Sequence, residues 1–495
     1  MIISHDLGTT GDKATLVDET GTVLAAVTET YGTDFGPRGK AEQDADAWWA
    51  AVCAATRRLV AQHPAALDRV EGISFSGQMM GAVLLGDDGR PVRPAIIWAD
   101  TRSVDQTAQL VERVGMEKGY SITGHRLNPT YSLSKVMWVR DREPEAFART
   151  RHVVLAKDYV VHRLTGVLAT DPSDASSTNA YDQSTEDWSG ELLDAAGLDR
   201  ALFPEILPST TVVGKVSAEA ARETGLREGT PVVLGGGDGP MAALGAGVLD
   251  AASGAYAYLG SSSWASLAAD APLHDPRMRT MTFNHVIPGR FVPTATMQAG
   301  GASLEWIVST LAPGDDERYS RLLSGAAEVT ASEDGLYFLP HLLGERSPYW
   351  NPKARAVFAG LARHHRPAHL TRAVLEGVAF NLYTGLRAFT ENGASIDHVD
   401  AIGGAANAGV LLRIFADVWG VPVRRRELAD EATSLGAAIV GGVGAGVFGS
   451  FDVARRFAEN RAEERPDPAA HQRYAREYEI FMDAYRRLEP WFETL

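Results

Sequence analysis

The sequence is poor in cysteine: Cys53 is the single thiol among 495 residues. One thiol excludes an internal disulfide framework and fits a reducing, cytoplasmic setting. Cys53 falls on a helix-like apolar stripe with Trp49 and Val52, which reads as a buried structural cysteine. Positive charge is also in deficit. Lys and Arg number 47 against 63 Asp and Glu, a formal net charge of −16. A nucleic-acid backbone or an anionic membrane surface is therefore a poor partner. Local basic groups still leave room for an anionic substrate. The opening Met1-Ile2-Ile3-Ser4-His5-Asp6 has neither the basic start nor the apolar core of a signal peptide. Two windows, 251–269 and 432–451, carry no charge. Neither has the dense Leu/Ile/Val/Phe content that favours membrane insertion. The first alternates around Tyr256 and Tyr258 and predicts strands, and the second predicts a buried helix and a turn. HExxH, CxxC, EF-hand and Walker A patterns are missing. Ser261 and Ser262 lie outside any G-x-S-x-G elbow, which disfavours a serine hydrolase.

What is present is an ordinary globular composition, 45% apolar and 22% charged, long enough for two or three domains. The most informative stretch is Val232-Val233-Leu234-Gly235-Gly236-Gly237-Asp238-Gly239-Pro240, near the middle of the chain. Its apolar β-branched run predicts a buried strand, and the glycines permit a sharp turn. Asp238 then stands at a strand end, where open α/β sheets bind ligands. Taken alone, the pattern suits better a glycine turn whose Asp caps a helix over 241–249.

Turns of the same kind recur. Strands over 2–6 and 13–17 flank Gly8-Thr9-Thr10-Gly11, with Asp6 before the turn and Lys13 after it. Backbone N–H groups in such a turn form a nest for phosphate oxygens. Asp6 suits a divalent cation held through water, as Mg²⁺ prefers. Leu259-Gly260-Ser261-Ser262 repeats Leu7-Gly8-Thr9-Thr10 half a chain later, again between strands. The repetition predicts a duplicated domain with one phosphate-grasping turn per half, both on a shared cleft. A strand over 399–404 enters Gly403-Gly404-Ala405-Ala406-Asn407, a glycine turn suited to close approach of a nucleotide. A strand over 70–75 ends in Ser76-Gly77-Gln78-Met79-Met80-Gly81, and one over 95–98 runs into Ala99-Asp100-Thr101-Arg102. Gln78, Asp100 and Arg102 suit a sugar site, with an Asp100–Arg102 salt bridge as the equal alternative. Met79 and Met80 read more readily as core. The polar run Asp171, Ser173, Asp174, Ser176, Ser177, Thr178 and Asn179, broken by Pro172 and Ala175, predicts a loop. Residues 462–467 read as a charged connector, and 411–419, 432–447 and 469–488 as helices.

With these turns in this order, the chain resembles the FGGY carbohydrate kinases, most closely the xylulokinase-like members, over residues 1–490. The C-terminal family signature is matched by Ala356-Val357-Phe358-Ala359-Gly360-Leu361 and, after a spacer, His369-Leu370-Thr371-Arg372-Ala373-Val374-Leu375-Glu376. Ser132-Leu133-Ser134-Lys135-Val136-Met137-Trp138-Val139 nearly matches the N-terminal one, with Thr130 an atypical start. Asp6-Leu7-Gly8-Thr9-Thr10, the 235–238 stretch, Gly344-Glu345-Arg346-Ser347-Pro348 and Gly403-Gly404-Ala405 resemble further family blocks. The resemblance implies an α/β fold of two ribonuclease H-like domains, as in actin and sugar kinases, with a cleft between them. Its division would be an N-terminal sugar-binding domain over 1–245, a C-terminal nucleotide-binding domain over 246–450 and a helical extension over 451–495. It implies transfer of phosphate from ATP, with Mg²⁺, to a primary hydroxyl of a ketose, first of all a pentulose such as xylulose. Asp238 would be the base, Asp6 would serve Mg²⁺–ATP, and both would touch the metal through water. Thr9, Thr10, Lys13, Gly260, Ser261 and Ser262 fall to the phosphates, and Gly404, Ala405 and Asn407 to the adenosine. Gln78, Met79 and Met80 fall to the sugar, with Asp100 and Tyr131 as further pocket residues. The expected partner is a small-molecule sugar, in a homodimer, with no nucleic acid or membrane.

Two positions depart from the xylulokinase pattern. A histidine is usual where this chain has Met80, and an amide residue often follows the catalytic Asp where this chain has Gly239-Pro240. The acceptor therefore stays open among xylulose, another ketose (ribulose, L-xylulose) and a polyol (erythritol, an arabinitol). A reading of another class, an actin- or chaperone-like ATPase acting on a protein partner, shares the fold and the phosphate turns. It needs neither Asp238 nor the Gln78 region. The presence of Asp6, Lys13 and Asp238 argues against a sugar-sensing pseudokinase.

Overall fold

The N-terminus forms a hairpin, β1 (Ile2–Leu7), buried on both faces, and β2 (Gly11–Val17), with Asp6 opposite Lys13. β3 (Val23–Thr30) adds antiparallel to β2. Helix α1 (Ala45–Gln62) starts where the Asp44 carboxylate accepts the Asp46 N–H. It buries Trp48, Trp49, Val52 and Cys53 against this sheet, and burial pushes the Cys53 thiol up to about 12. β4 (Gly72–Gly77) runs parallel to β1. A largely helical insertion follows, including α2 (Ser132–Arg142), with its own apolar core around Leu133, Val136 and Leu192. After α3 (Ala156–Thr165), the strands β5 (Val212–Lys215), β6 (Pro231–Val233) and the short β7 (Gly236–Gly237) complete the sheet. Its order is β5-β6-β4-β1-β2-β3, with β7 paired to β4. The chain coordinates come from a computed structural model that describes residues 1–426, 431–457 and 460–495.

Helix α4 (Asp238–Gly245) crosses to a second sheet built on the same plan. A hairpin of β8 (Ala255–Leu259) and β9 (Ser263–Leu267) lies at its centre. β10 (Met281–Asn284) and β11 (Phe291–Met297) extend one side. Helices α5 (Gly301–Leu311) and α6 (Pro367–Glu391) intervene before β12 (Val399–Ile402), α7 (Gly409–Trp419) and β13 (Val423–Arg426). The order β3-β2-β1-β4-β6 in the first sheet corresponds to β11-β9-β8-β12-β13 in the second, with the same parallel and antiparallel senses. The duplication read from the two Leu-Gly-hydroxyl turns is thus a duplication of topology.

Helix α8 (Ala432–Gly444) follows β13 of the second sheet in sequence but packs on the first. Leu435, Ile439 and Val440 share a core with Ile2, Val17, Val233 and, from α4, Met241 and Leu244. The two domains are therefore joined by two crossing apolar helices, and burying each such side chain contributes about 1.5–3 kcal/mol. The charged segment expected as a connector is in part a strand. β14 (Asn460–Glu464) pairs antiparallel with β13, where Arg424 meets Glu463. An opposite-charge ladder at a sheet edge is compatible with strand pairing even though it reads as polar linker. Helix α9 (Pro468–Phe492) buries Tyr474, Tyr478, Phe481 and Tyr485 on the second domain's core. Among the described residues, no helix is long and apolar enough to cross a membrane.

Candidate active site

The glycine run before Asp238 turns because Gly235 has a φ of 80°, and a Cβ there would stand 2.0 Å from the Phe75 carbonyl oxygen. β7 then pairs with the end of β4 and aims the chain into α4. Asp238 is the first residue of that helix, one step later than a cap: Gly237 occupies the cap position and makes no side-chain bond there. The Asp238 Oδ1 accepts the Gly239 N–H at 2.8 Å. Burial, then the negative charge of Asp6, raises the Asp238 carboxyl to about 7. Asp6 sits at the end of β1, across β4 from β7, and accepts the hydroxyl of Ser76 on β4 at 3.0 Å. Burial raises it to about 6, with Ser76 and Lys13 opposing and Asp12 assisting. Two carboxyls at the ends of the strands flanking β4 are thus both raised toward neutrality, which is where a general base works best.

Asp238 and Gly239 line a cavity of about 280 Å³ between the domains. Met79, Met80, Trp98 and Thr9 come from the first domain, and Trp264, Met281, Phe283, Thr296, Gln298 and Arg346 from the second. Trp98 Nε1 donates to Thr9 Oγ1 at 2.8 Å, which ties the first phosphate turn to the cavity wall. Trp264 Nε1 donates to the Tyr256 hydroxyl at 2.8 Å, and that hydroxyl donates to the Gly239 carbonyl at 3.3 Å. The second domain therefore touches the backbone beside Asp238 directly. Arg346 lies against the sulfurs of Met80 and Met281, at 3.8 and 3.9 Å.

A second cavity, of about 620 Å³, adjoins the first and shares Tyr258 with it. Gly260, Ser261, Gly301, Leu304, Glu305, Tyr319, Gly404, Ala405 and Asn407 contribute to its lining. The 260–261 turn lies on the start of α5, where the Gly301 and Ala302 N–H groups donate to the Gly260 and Ser261 carbonyls. A Cβ at Gly301 would stand 2.5 Å from the Gly260 oxygen, so glycine is required for that approach. Its glycines let the backbone come close to whatever occupies the cavity.

Of the residues expected from sequence, Asp238, Met79, Met80, Thr9 and Ser262 line the smaller cavity, and Gly260, Ser261, Gly404, Ala405 and Asn407 the larger. Gln78, Asp100 and Tyr131 stand behind the wall. The Gln78 amide donates to Gln43 Oε1 at 2.8 Å, beneath the first turn. Asp100 is buried in the alternative arrangement, accepting the Ala41 N–H at 2.7 Å and pairing with Arg102 at 2.9 Å. The Tyr131 hydroxyl meets His125 Nδ1 at 3.0 Å and Met281 Sδ at 3.2 Å. Asp6, Thr10 and Lys13 flank the cleft without lining either cavity, and Lys13 Nζ lies 3.1 Å from Glu431 Oε1. Sequence reasoning passed over Trp98, Tyr256, Trp264, Met281, Phe283 and Gln298, and quoted Arg346 only within a block. Arg346 had a local signal, a cation in an irregular loop. Tyr256 and Met281 had none, because alternation in a strand looks the same for a wall as for a core.

Family models match both halves: the N-terminal domain of the FGGY family of carbohydrate kinases over residues 1–245, and its C-terminal domain over 255–445. The chain belongs to the FGGY family. It is 34% identical to the xylulose kinase of Escherichia coli (strain K12) over 490 residues, covering 99% of each chain. A crystal structure of ligand-bound xylulose kinase from Lactobacillus acidophilus superposes with a TM-score of 0.94 at 26% identity, over 100% of this chain and 99% of that one. The gluconate kinase of the same organism superposes with a TM-score of 0.93 at 26% identity, over 98% of each. The FGGY fold has two actin- or hexokinase-like domains, and the protein is an ATP-dependent carbohydrate kinase that acts on a small-molecule sugar.

Proposed function

We propose that this FGGY kinase transfers the γ-phosphoryl group of ATP to a primary hydroxyl of a ketose, in the first place a pentulose such as xylulose, with Asp238 as general base. The observation that carries the proposal is the carboxyl of Asp238, held near neutrality inside a sugar-sized cavity that meets the nucleotide-sized one. Asp238 accepts the proton of the attacking hydroxyl. Backbone N–H groups of the Gly8–Gly11 and Gly260–Ser262 turns receive phosphate oxygens, and Lys13 adds a positive charge at the mouth. Phosphoryl transfer asks for this positioning and charge neutralisation more than for covalent chemistry. Closure about α4 and α8 excludes water as a competing acceptor. The division into a sugar-binding 1–245, a nucleotide-binding 246–450 and a terminal 451–495 follows from the same reading.

The donor set also fits Mg²⁺. Asp6 and Asp238 are two carboxylates raised by burial, and the described residues hold no cluster of three acidic, His or Cys ligands. That suits a cation that arrives on nucleotide phosphates and keeps its waters. Bound there by Asp6 and Asp238, it would neutralise phosphate charge.

One observation favours a second acceptor class. Arg346 faces the acceptor cavity, and among the described residues no carboxylate pairs with it. A part-buried guanidinium without an anion suits a carboxylate on the ligand, and a gluconate kinase is among the superposing structures. An aldonate would fit this arrangement. The test is an ADP-release screen over pentuloses, tetruloses, pentitols and aldonates, with the phosphorylated carbon mapped on each hit. A pentulose as the best acceptor supports the first proposal, and an aldonate that loses its advantage in Arg346→Gln supports the second. ADP release that no sugar accelerates and a protein client does would overturn both in favour of the protein-directed ATPase.

A further inference from the structure

The polar run 171–179, expected as a loop, is a short helix (Pro172–Ala175) followed by a 3₁₀ turn (Ser176–Thr178). Its polar residues are at most 2% exposed, so none of them serves as a solvated surface. Its serines bond outward to backbone. Ser173 Oγ accepts the Gly237 N–H at 2.9 Å and donates to Asp171 Oδ2 at 2.5 Å. Ser177 Oγ accepts the Met80 N–H at 3.1 Å and donates to the Asp174 carbonyl at 2.7 Å. Ser176 Oγ accepts the N–H of Asn284, on the strand that carries Met281 and Phe283, at 3.0 Å. Three backbone segments that wall the acceptor cavity are therefore hung from one buried loop.

The loop is fixed from beneath by charge. Lys157 Nζ lies 2.5, 3.0 and 3.3 Å from Asp158, Asp171 and Asp174, and all four side chains are fully buried. Ser209 donates to Asp171 at 2.7 Å. Burial pushes the Asp174 carboxyl well above its ordinary range, with Lys157 opposing. Such a cluster is costly to disrupt and therefore rigid. Two of the amides it reaches are sensitive points. Gly237 immediately precedes Asp238. Met80 has a φ of 62°, in the left-handed region that a methionine keeps only when its surroundings hold it there. Its carbonyl is gripped as well, by Lys135 Nζ at 2.7 Å.

We propose that Ser173 and Ser177 are positioning residues of the acceptor site: Ser173 fixes the amide of Gly237, the residue before Asp238, and Ser177 holds Met80 in its left-handed conformation. The proposal rests on the reading of Asp238 as base. Thr178 supplies an internal comparison. Its hydroxyl is equally buried but bonds only within the loop, to the Ala175 carbonyl at 2.7 Å and the Ala180 N–H at 3.1 Å.

The experiment compares Ser173→Ala, Ser177→Ala and Thr178→Val in the full-length protein, by melting temperature and by steady-state kinetics with the wild-type acceptor. Ser173→Ala is expected to lower kcat by about ten-fold or more with acceptor KM nearly unchanged, because a misplaced base slows the step and leaves binding intact. Ser177→Ala is expected to raise acceptor KM by about ten-fold with kcat nearly unchanged, since it moves a wall. Thr178→Val should lose similar thermal stability and keep both constants. If the serine variants lose activity only in step with melting, or change kcat and KM together, the positioning roles are overturned. Where an alanine variant does not fold, the cysteine variant, close in size with a weakly accepting sulfur, must give the same split or overturn the proposal. Asp238→Asn run alongside separates the two readings. Full turnover there overturns the base itself, while lost turnover there without a split in the serine variants overturns only Ser173 and Ser177.

Discussion

In the first domain the β1–β2 hairpin carries Asp6, Thr9 and Lys13 around its turn. In the second the β8–β9 hairpin carries only Gly260, Ser261 and Ser262. The strand order behind the two turns is the same, so the difference lies in what stands at the strand ends. The larger cavity combines the small residues and backbone of its glycine turns (Gly260, Ser261, Gly301, Gly404, Ala405) with Tyr258, Leu304, Glu305 and Tyr319. The smaller cavity is lined by Met79, Met80, Trp98, Trp264, Met281 and Arg346, a surface of side chains from both domains. A phosphate chain is the same in every reaction of this kind, and fixed N–H groups serve it well. An acceptor has to be told from its isomers, which takes shaped walls and one or two directed polar groups.

The sharpest way to break this contrast is at Asp238. Under the proposed role, Asp238→Asn lowers kcat by about two to four orders of magnitude while nucleotide affinity, measured by calorimetry, stays near wild type. The pH profile carries a sign. With the carboxyl raised to about 7, activity falls as pH drops below that value, because the base is then protonated. Removing the Asp6 charge lowers the Asp238 pKa, so the acid limb of whatever activity Asp6→Asn retains should move to lower pH. The same shift predicts a stability effect. A carboxyl whose folded pKa exceeds its unfolded one costs stability as pH rises between the two. Asp238→Asn should therefore melt higher than wild type at pH 8 and at about the same temperature at pH 3, below both pKa values.

A smaller effect is expected on the backbone side. Gly301→Ala sets a methyl 2.5 Å from the Gly260 carbonyl oxygen and displaces the second turn. It should raise KM for ATP by about ten-fold and leave acceptor KM alone, a split read directly from two substrate titrations. A rise in both would mean that the two cavities are not separable. The smallest effect is expected at Met80→His, which should re-rank ketose acceptors toward D-xylulose by a few-fold with ATP kinetics unchanged. An identical ranking before and after would remove Met80 from specificity.

Much of the frame was legible in the chain. Leu7-Gly8-Thr9-Thr10 and Leu259-Gly260-Ser261-Ser262 announced two hairpins, and the structure gives each a parallel third strand in the same place. Those features are local: a turn's conformation depends on glycine and hydroxyls a few residues apart. The polar run 171–179 was misread because polarity normally marks a surface, whereas here Lys157 and the neighbouring backbone amides satisfy it in the interior. The 462–467 connector was misread because Arg424 and Arg413, from a distant strand and helix, pair with its Glu463 and Glu464. Gln78 and Asp100 were placed on the right strand ends, but their side-chain directions depend on Gln43 and Ala41, which no local pattern reveals.

The sequence by itself determined the duplicated strand–turn–strand frame, the glycine turns and the presence of an acid at the head of α4, because backbone conformation and periodicity are short-range. Only the tertiary structure decided that Asp238 shares a cavity with Arg346, that Tyr256 touches Gly239 from the other domain, and that Ser173 and Ser177 reach the amides of Gly237 and Met80. Those contacts join residues tens to hundreds of positions apart, and they exist because α4 and α8 pack on each other and join the two domains over one cleft.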